Sequence, residues 1–447
     1  MAKFKFISAA IGLALVGQVF GSALLSDAKA SKQYDILIQN ANVYEVGNDM
    51  DIAIKDGKIV AIEKSISKSK ATKVIDATNK LVAPGFVDSH THIDKALTLG
   101  DAEPGDLMAA IDAANKYVAS VPKNKVYDDV IKRGRQVIEM AISNGTTAIK
   151  TNVFVNDKWG TEPLRAINDL KKQYKNYIDI YNATPFSDMG PLPADVLAEV
   201  EAAAAKGEVD FIAGYPSLTK DYKSTVDQIF AYAKKYNLPV DLHVDESDAP
   251  NIDCLKYVID KTISEGMQGK VTVGHITALD AFGINDADAA SVIAKAKEAK
   301  INVTTLTSCN MYLMGRDGNK PMRRGVTRVN ELNKAGVNVS YASDNIRDPF
   351  RPFGNADMLE EALITAQVNQ YGVRTDLNKV FKMGTYNPAA NSLMKNYGMK
   401  VGCNADLVVF DAPSADEAIV SQSDKLYVLK NGKVVAENGK IIRKLDK

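Results

Sequence analysis

Two histidines spaced two apart, His90 and His92, close the run Phe86-Val87-Asp88-Ser89-His90-Thr91-His92. On an extended strand, residues i and i+2 point to the same side, so both imidazoles can reach one metal ion. The chain has only four histidines. His243 and His275 end the runs Val240-Asp241-Leu242-His243 and Val271-Thr272-Val273-Gly274-His275, and Asp344 ends Val339-Ser340-Tyr341-Ala342-Ser343-Asp344. A lone histidine is usually a surface or satisfied core residue, but four at strand ends, one pair spaced as a chelate, match chance poorly. Imidazole and carboxylate donors suit zinc or iron(II) with an open position for water. The chemistry they predict is metal-dependent hydrolysis.

Glu246 follows in His243-Val244-Asp245-Glu246. It can reach a substrate atom beside the metal, which is the place of a proton shuttle. Asp245 and Asp248 read better as loop carboxylates. Asp344 can either bind the metal or face its water and take the proton, since metal binding acidifies that water.

These residues need a scaffold that brings strand ends together. From about Leu81 to Ala390, short β-branched runs alternate with longer helical ones. Candidate strands end near His90, Asn152, Thr184, Tyr215, His243, His275, Thr307 and Asp344. Amphipathic helices are expected at Tyr127–Ser143, Val196–Lys206, Ser224–Lys235 and Asp286–Ala299. Eight β/α repeats match a (β/α)₈ barrel, whose C-terminal mouth holds active sites. The alternative, an open doubly wound sheet, wants a Gly-rich phosphate loop after its first strand, where this chain has histidines.

Both ends of the chain read as β. Tyr34–Ile38 and Asp51–Val60 carry an Asp56-Gly57 hairpin signal, while Ala405–Asp411 and Val428–Val435 carry an Asn431-Gly432 signal. The expected fold is therefore α/β, a TIM barrel with a small β-sandwich-like domain formed by both termini. Its expected parts are a signal peptide at 1–30, the β-domain at 31–80 and 391–447, and the barrel at 81–390.

Residues 1–30 differ in kind. Lys3 and Lys5 precede an apolar run from about Phe6 to Leu25, and Ala28-Lys29-Ala30 offers small residues for cleavage. That pattern predicts a secretory signal peptide cut after Ala30 and a periplasmic mature protein. A retained anchor is the rival reading, because the run nears the roughly 20 residues a span needs. Gly12, Gly17, Gln18 and Gly21 dilute it. Outside the cytoplasm, redox-silent zinc is favoured over iron(II) as the one divalent ion. Cys254, Cys309 and Cys403 fit no zinc-knuckle or redox spacing and read as small buried hydrophobes, with one disulfide left open.

Lysine plus arginine and aspartate plus glutamate each total 55 in 447 residues. That balance argues against nucleic acid as a partner. A small-molecule substrate is expected, with no membrane insertion after cleavage; monomer and homo-oligomer both stay open.

At this point the chain resembles the amidohydrolase superfamily, and its cytosine deaminase-like branch in particular. The resemblance rests on Pro84-Gly85-Phe86-Val87-Asp88-Ser89-His90-Thr91-His92-Ile93-Asp94, on His243-Val244-Asp245-Glu246 and on Val271–His275. Arg323–Val329 and Ser343–Phe350 add to it, and it covers essentially everything after Ala30. It implies one metal held by His90, His92, His243 and Asp344. His275 would position the water and polarise the substrate, and Glu246 would protonate the ring nitrogen beside the attacked carbon. Dinuclear relatives carry a lysine at the end of strand 4; Val209–Pro216 has none.

Departures bear on the substrate. Asn345 stands where cytosine deaminases place a second aspartate, Thr184–Asp188 lacks their glutamine, and Phe350 replaces a tryptophan. Asp94-Lys95 and Ser343–Asp348 instead resemble the N-isopropylammelide aminohydrolase branch. Lys95, Asn152, Phe186, Asn345 and Phe350 are candidate substrate-binding residues, with Tyr215 and Asn310 as secondary ones. Arg347 and Arg351 are candidates for an anionic group unless Asp348 and nearby acids neutralise them. Trp159, the only tryptophan, is assigned no function. The expected reaction is hydrolytic deamination of a small nitrogen heterocycle such as an aminopyrimidine, aminotriazine or cyclic amidine. The alternatives are hydrolysis of an amide or N-alkylamine C–N bond, and a non-catalytic solute-binding protein, which conflicts with so complete a donor and proton-transfer set.

Overall fold

The computed structural model describes residues 32–442 except 101, 104, 188 and 317–323. The expected signal peptide at 1–30 and Arg323 lie outside the described residues.

Five strands open the chain: β1 (Tyr34–Val43), β2 (Gly47–Lys55), β3 (Lys58–Glu63), β4 (Ala71–Asp76) and β5 (Leu81–Pro84). Eight more follow: β6 (Phe86–Thr91), β7 (Thr146–Asn152), β8 (Asp179–Pro185), β9 (Phe211–Gly214), β10 (Val240–Val244), β11 (Val271–His275), β12 (Asn302–Thr305) and β13 (Asn338–Tyr341). Last come β14 (Leu407–Phe410), β15 (Lys425–Lys430), β16 (Lys433–Glu437) and β17 (Lys440–Ile441).

Strands β6 to β13 pair in sequence order as one parallel sheet with helices between them, the (β/α)₈ arrangement expected. Nearly every residue in them is buried, because a parallel sheet wrapped by helices has no solvent face. The sheet closes between β6 and the segment after β13. Asp344 N–H donates to His90 O at 2.9 Å, and His92 N–H donates to Asp344 O at 3.1 Å. The seam thus runs through three of the residues singled out above.

The other strands form a second sheet, ordered β17-β16-β15-β14-β5-β1-β2-β3, with β4 paired to β1. β14 lies antiparallel to β5 and joins the two ends of the chain. Asp56-Gly57 and Asn431-Gly432 all have positive φ (49°, 78°, 46° and 68°), the type I′ geometry that fits strand twist. Fully buried Lys430 clamps this sheet to the barrel, reaching Asp179 at the start of β8 (2.6 Å) and Asp406 (2.7 Å).

Two boundaries and one helix differ from expectation. β5 belongs to the terminal sheet, since its pairing partners are β1 and β14, so the barrel begins at Phe86. β13 ends at Tyr341, not Asp344, because the backbone turns left-handed at Asp344 (φ 57°) to reach β6. An additional helix, Leu107–Ser120, precedes Lys123–Ser143 and begins where the Asp106 side chain accepts from Ala109 N–H. Among the described residues, no helix is long and apolar enough to cross a membrane. The cysteines are unpaired, Cys254 and Cys309 buried and Cys403 half-buried.

Candidate metal centre and its cleft

The C-terminal ends of β6, β10, β11 and the turn after β13 converge on one point. His90 Nε2 lies 3.1 Å from His243 Nε2, which lies 3.3 Å from His92 Nε2. Asp344 Oδ1 is 3.3 Å from His92 Nε2 and 3.6 Å from His90 Nε2. Donors about 2.0–2.1 Å from one tetrahedral ion sit roughly 3.3 Å apart, so these spacings fit a single ion. Both Asp344 carboxylate oxygens are buried without a hydrogen-bond partner. Such groups are costly unless they are paired or coordinate a metal. The cluster therefore fits a divalent metal.

Electrostatics agree. Burial pushes His92 down to about 3 and His243 well below the ordinary imidazole value, which leaves neutral rings able to donate lone pairs. Burial would raise Asp344, but its contact with His92 and the surrounding imidazoles outweigh that and hold it ionised. His275 and Asp344 have φ of 67° and 57°. Non-glycine residues reach this region at a cost, and such strain clusters at functional sites.

His275 presents a ligand atom within 4.8 Å of those of His90 and Asp344. Its Nδ1 lies 3.2 Å from Glu246 Oε1, while its buried Nε2 has no hydrogen-bond partner. The Asn310 amide, from the short helix Thr307–Leu313, donates to Glu246 Oε1 at 3.0 Å and lies 3.1 Å from His275 Nδ1. Burial opposes protonation of His275, but the Glu246 charge and hydrogen bond prevail and raise it.

A cleft opens above this cluster. Lys95, Tyr215, Asn345 and Phe350 line it, together with Glu246. Lys95 Nζ sits 5.3 Å from the ring centroids of both Phe154 and Phe350. The Asn345 amide donates to Asp348 Oδ2 at 2.6 Å, and Asp348 Oδ1 accepts from Phe350 and Arg351 N–H, which shapes the loop. Burial pushes Asp348 up to about 6.

Two expected substrate contacts are not brought to the cleft. Asn152 is buried behind the metal cluster, its Nδ2 3.3 Å from His90 Nδ1, because alternation along β7 points it into the barrel. Phe186, just past β8, turns outward and packs at a tilt against Tyr232 and Tyr236 with centroids 4.5 and 5.8 Å away. Of the two loop arginines, Arg351 is not free for an anion. Exposed Arg347 donates to Gly354 O, and buried Arg351 pairs with buried Glu361 at 2.6 Å. Arg351→Met leaves Glu361 buried and unpaired, and should cost about 3–5 kcal/mol in a denaturant unfolding experiment.

The cleft also holds residues that sequence reasoning missed. Trp159 lines it, its Nε1 donating to Val118 O at 3.0 Å. Leu107, Ile111, Ala114 and Val118 line it from the helix Leu107–Ser120. Their 4-3-4 spacing is one helical face, the signal that pointed to them. Below the cluster lie Asp241 and Lys150, both fully buried. Their positions two residues before His243 and Asn152 put each on an inward strand face.

The Amidohydro_3 model of the amidohydrolase family matches residues 73–151 and 186–436. N-isopropylammelide isopropyl amidohydrolase of Pseudomonas sp. (strain ADP) is 31% identical, over 92% of this chain and 100% of its own length. Pterin deaminase of Rhizobium rhizogenes is 30% identical, over 89% and 90%. A crystal structure of 5-methylcytosine deaminase from Klebsiella pneumoniae, liganded with 5-fluorocytosine, superposes with a TM-score of 0.82 at 27% identity, covering 92% of this chain and 99% of that one. The chain belongs to the amidohydrolase family.

Proposed function

We propose that this enzyme is a mononuclear, metal-dependent aminohydrolase that deaminates a small nitrogen heterocycle. His90, His92, His243 and Asp344 would hold the ion, with zinc favoured as the redox-silent ion that suits imidazole and carboxylate donors. The observation that carries the reading is the convergence of those four donors beneath a cleft lined by Glu246 and His275, with Asn310 hydrogen-bonded to Glu246. The relatives whose names specify heterocycle deamination support the same reaction class.

A divalent ion in this position supplies Lewis acidity and makes water acidic near neutral pH. The chain's own groups do the rest. Asp344 accepts the proton of the attacking water, whose oxygen bonds to the carbon bearing the amino group. Glu246 relays the other proton of that water to the adjacent ring nitrogen, and Asp344 passes its own to the departing nitrogen as the C–N bond breaks, leaving a carbonyl and ammonia. His275, with Nδ1 beside Glu246 and Nε2 free of any other partner, faces the developing negative charge. Asn310 fixes both side chains in place.

A second reading, loss of an alkylamine in place of ammonia, is favoured by the apolar wall of Leu107, Ile111 and Ala114. A screen of aminopyrimidines, aminotriazines, pterins and their N-alkyl forms decides between them, using metal-analysed protein and detecting ammonia and alkylamine separately. Chelator-sensitive ammonia release is expected. Alkylamine as the dominant product supports the second reading, and no turnover of any member by fully loaded protein contradicts both.

A further inference from the structure

Beneath the metal cluster, the barrel interior holds an ion pair with no access to water. Lys150 Nζ on β7 contacts Asp241 Oδ2 on β10, and both residues are fully buried. Asp241 Oδ1 lies 3.6 Å from Nδ1 of His90, itself fully buried. Neither Asp241 oxygen has another hydrogen-bond partner. Lys150 also lies over the Phe211 ring, 4.7 Å from its centroid, and 3.5 Å from Asn391 Oδ1. Asn391 ends the helix Tyr386–Asn391 and donates to Ser340 Oγ at 3.0 Å.

Stability alone is a poor account of this pair. Desolvating two charges offsets much of their attraction, and apolar residues of similar volume often serve as well. Position gives a better account. The pair stands behind His90, on the side opposite Nε2, the atom that faces His243 and Asp344. A carboxylate behind a metal-binding imidazole selects the tautomer with hydrogen on the rear nitrogen and fixes the ring's direction. The Asn152 side-chain amide lies 3.3 Å from the same nitrogen, and a half-turn about its Cβ–Cγ bond brings Oδ1, which has no other partner, to accept from that N–H.

We propose that Asp241 and Lys150 are positioning residues for the metal. Asp241 holds His90 with its proton on Nδ1 and its Nε2 lone pair toward the ion. Lys150 keeps Asp241 in place and ties it through Asn391 to the opposite end of the barrel. This rests on the reading of His90 as a metal ligand.

The test is the zinc dissociation constant, measured by chelator competition, together with the visible spectrum of the cobalt(II)-loaded protein. Asp241→Asn should weaken zinc binding about 10- to 100-fold and shift the cobalt bands, with KM little changed at saturating metal. Lys150→Met should weaken it too, and Lys150→Arg should restore most of the loss. Because either charge left alone can impair folding, Lys150→Met/Asp241→Asn removes both. A folded double variant with wild-type zinc affinity and cobalt spectrum would overturn the proposal. His90→Ala, run in parallel, separates the two claims. Zinc lost there but kept in the Asp241 variants refutes only the positioning role, whereas zinc kept in His90→Ala refutes the ligand assignment itself.

Discussion

Glu246→Gln is expected to lower kcat/KM for deamination by about two to four orders of magnitude while one metal ion stays bound. The two halves of that result come from different contacts. Glu246 is outside the four-donor set, so its charge is not needed to hold the ion. Glutamine keeps the size and an oxygen that can still accept from the Asn310 amide, as Oε1 does now at 3.0 Å. What it loses is a carboxylate that can take up a proton and hand it on. It also removes the charge that raises His275, whose proton should then leave at lower pH, weakening the second donor at the same place. Rates of ammonia release from metal-analysed wild-type and variant proteins check this. A wild-type rate in Glu246→Gln would mean that Glu246 is no proton shuttle.

His243→Ala should act by the other route, through the metal. His243 Nε2 stands between those of His90 and His92 at 3.1 and 3.3 Å, and its ring lines the cleft. Removing it leaves two imidazoles and a carboxylate and opens a void at the floor of the cleft. Bound zinc after purification should fall far below one equivalent. Activity should fall on the order of 10³-fold or more, since a Lewis acid contributes several kcal/mol to such a step. The fold should persist, because the buried barrel strands on either side do not depend on that ring. Metal analysis, circular dichroism and the ammonia assay on one preparation distinguish loss of metal from loss of structure. Full metal occupancy at full activity would remove His243 from the ligand set.

The residues of the metal centre were legible because their constraint is local. His90 and His92 declare a shared face by spacing alone, and His243 and His275 end runs whose β-branched composition marks them as strands. The barrel was legible for the same reason, since eight repeats of strand and amphipathic helix leave few architectures. The walls of the cleft were not. Asn152 and Phe186 both sit at strand ends, yet one points inward beneath the cluster and the other outward onto Tyr232. A half-turn of backbone at the end of a strand decides that, and residue type does not report it. Arg351 looked free to bind an anion because its partner, Glu361, lies ten residues on and meets it only in the folded loop. Lys150 and Asp241 carried a signal that went unread. A charge on an inward-facing position of a buried strand needs a partner, and each needed the other.

One ion, held by His90, His92, His243 and Asp344, is proposed to make this cleft a deaminating site. Titrating zinc into chelator-stripped protein, with ammonia release followed at a fixed concentration of a substrate from the screen, tests it most directly. Activity should rise linearly from near zero and stop at one equivalent. A rate already present in metal-free protein, or a break at two equivalents, would contradict it.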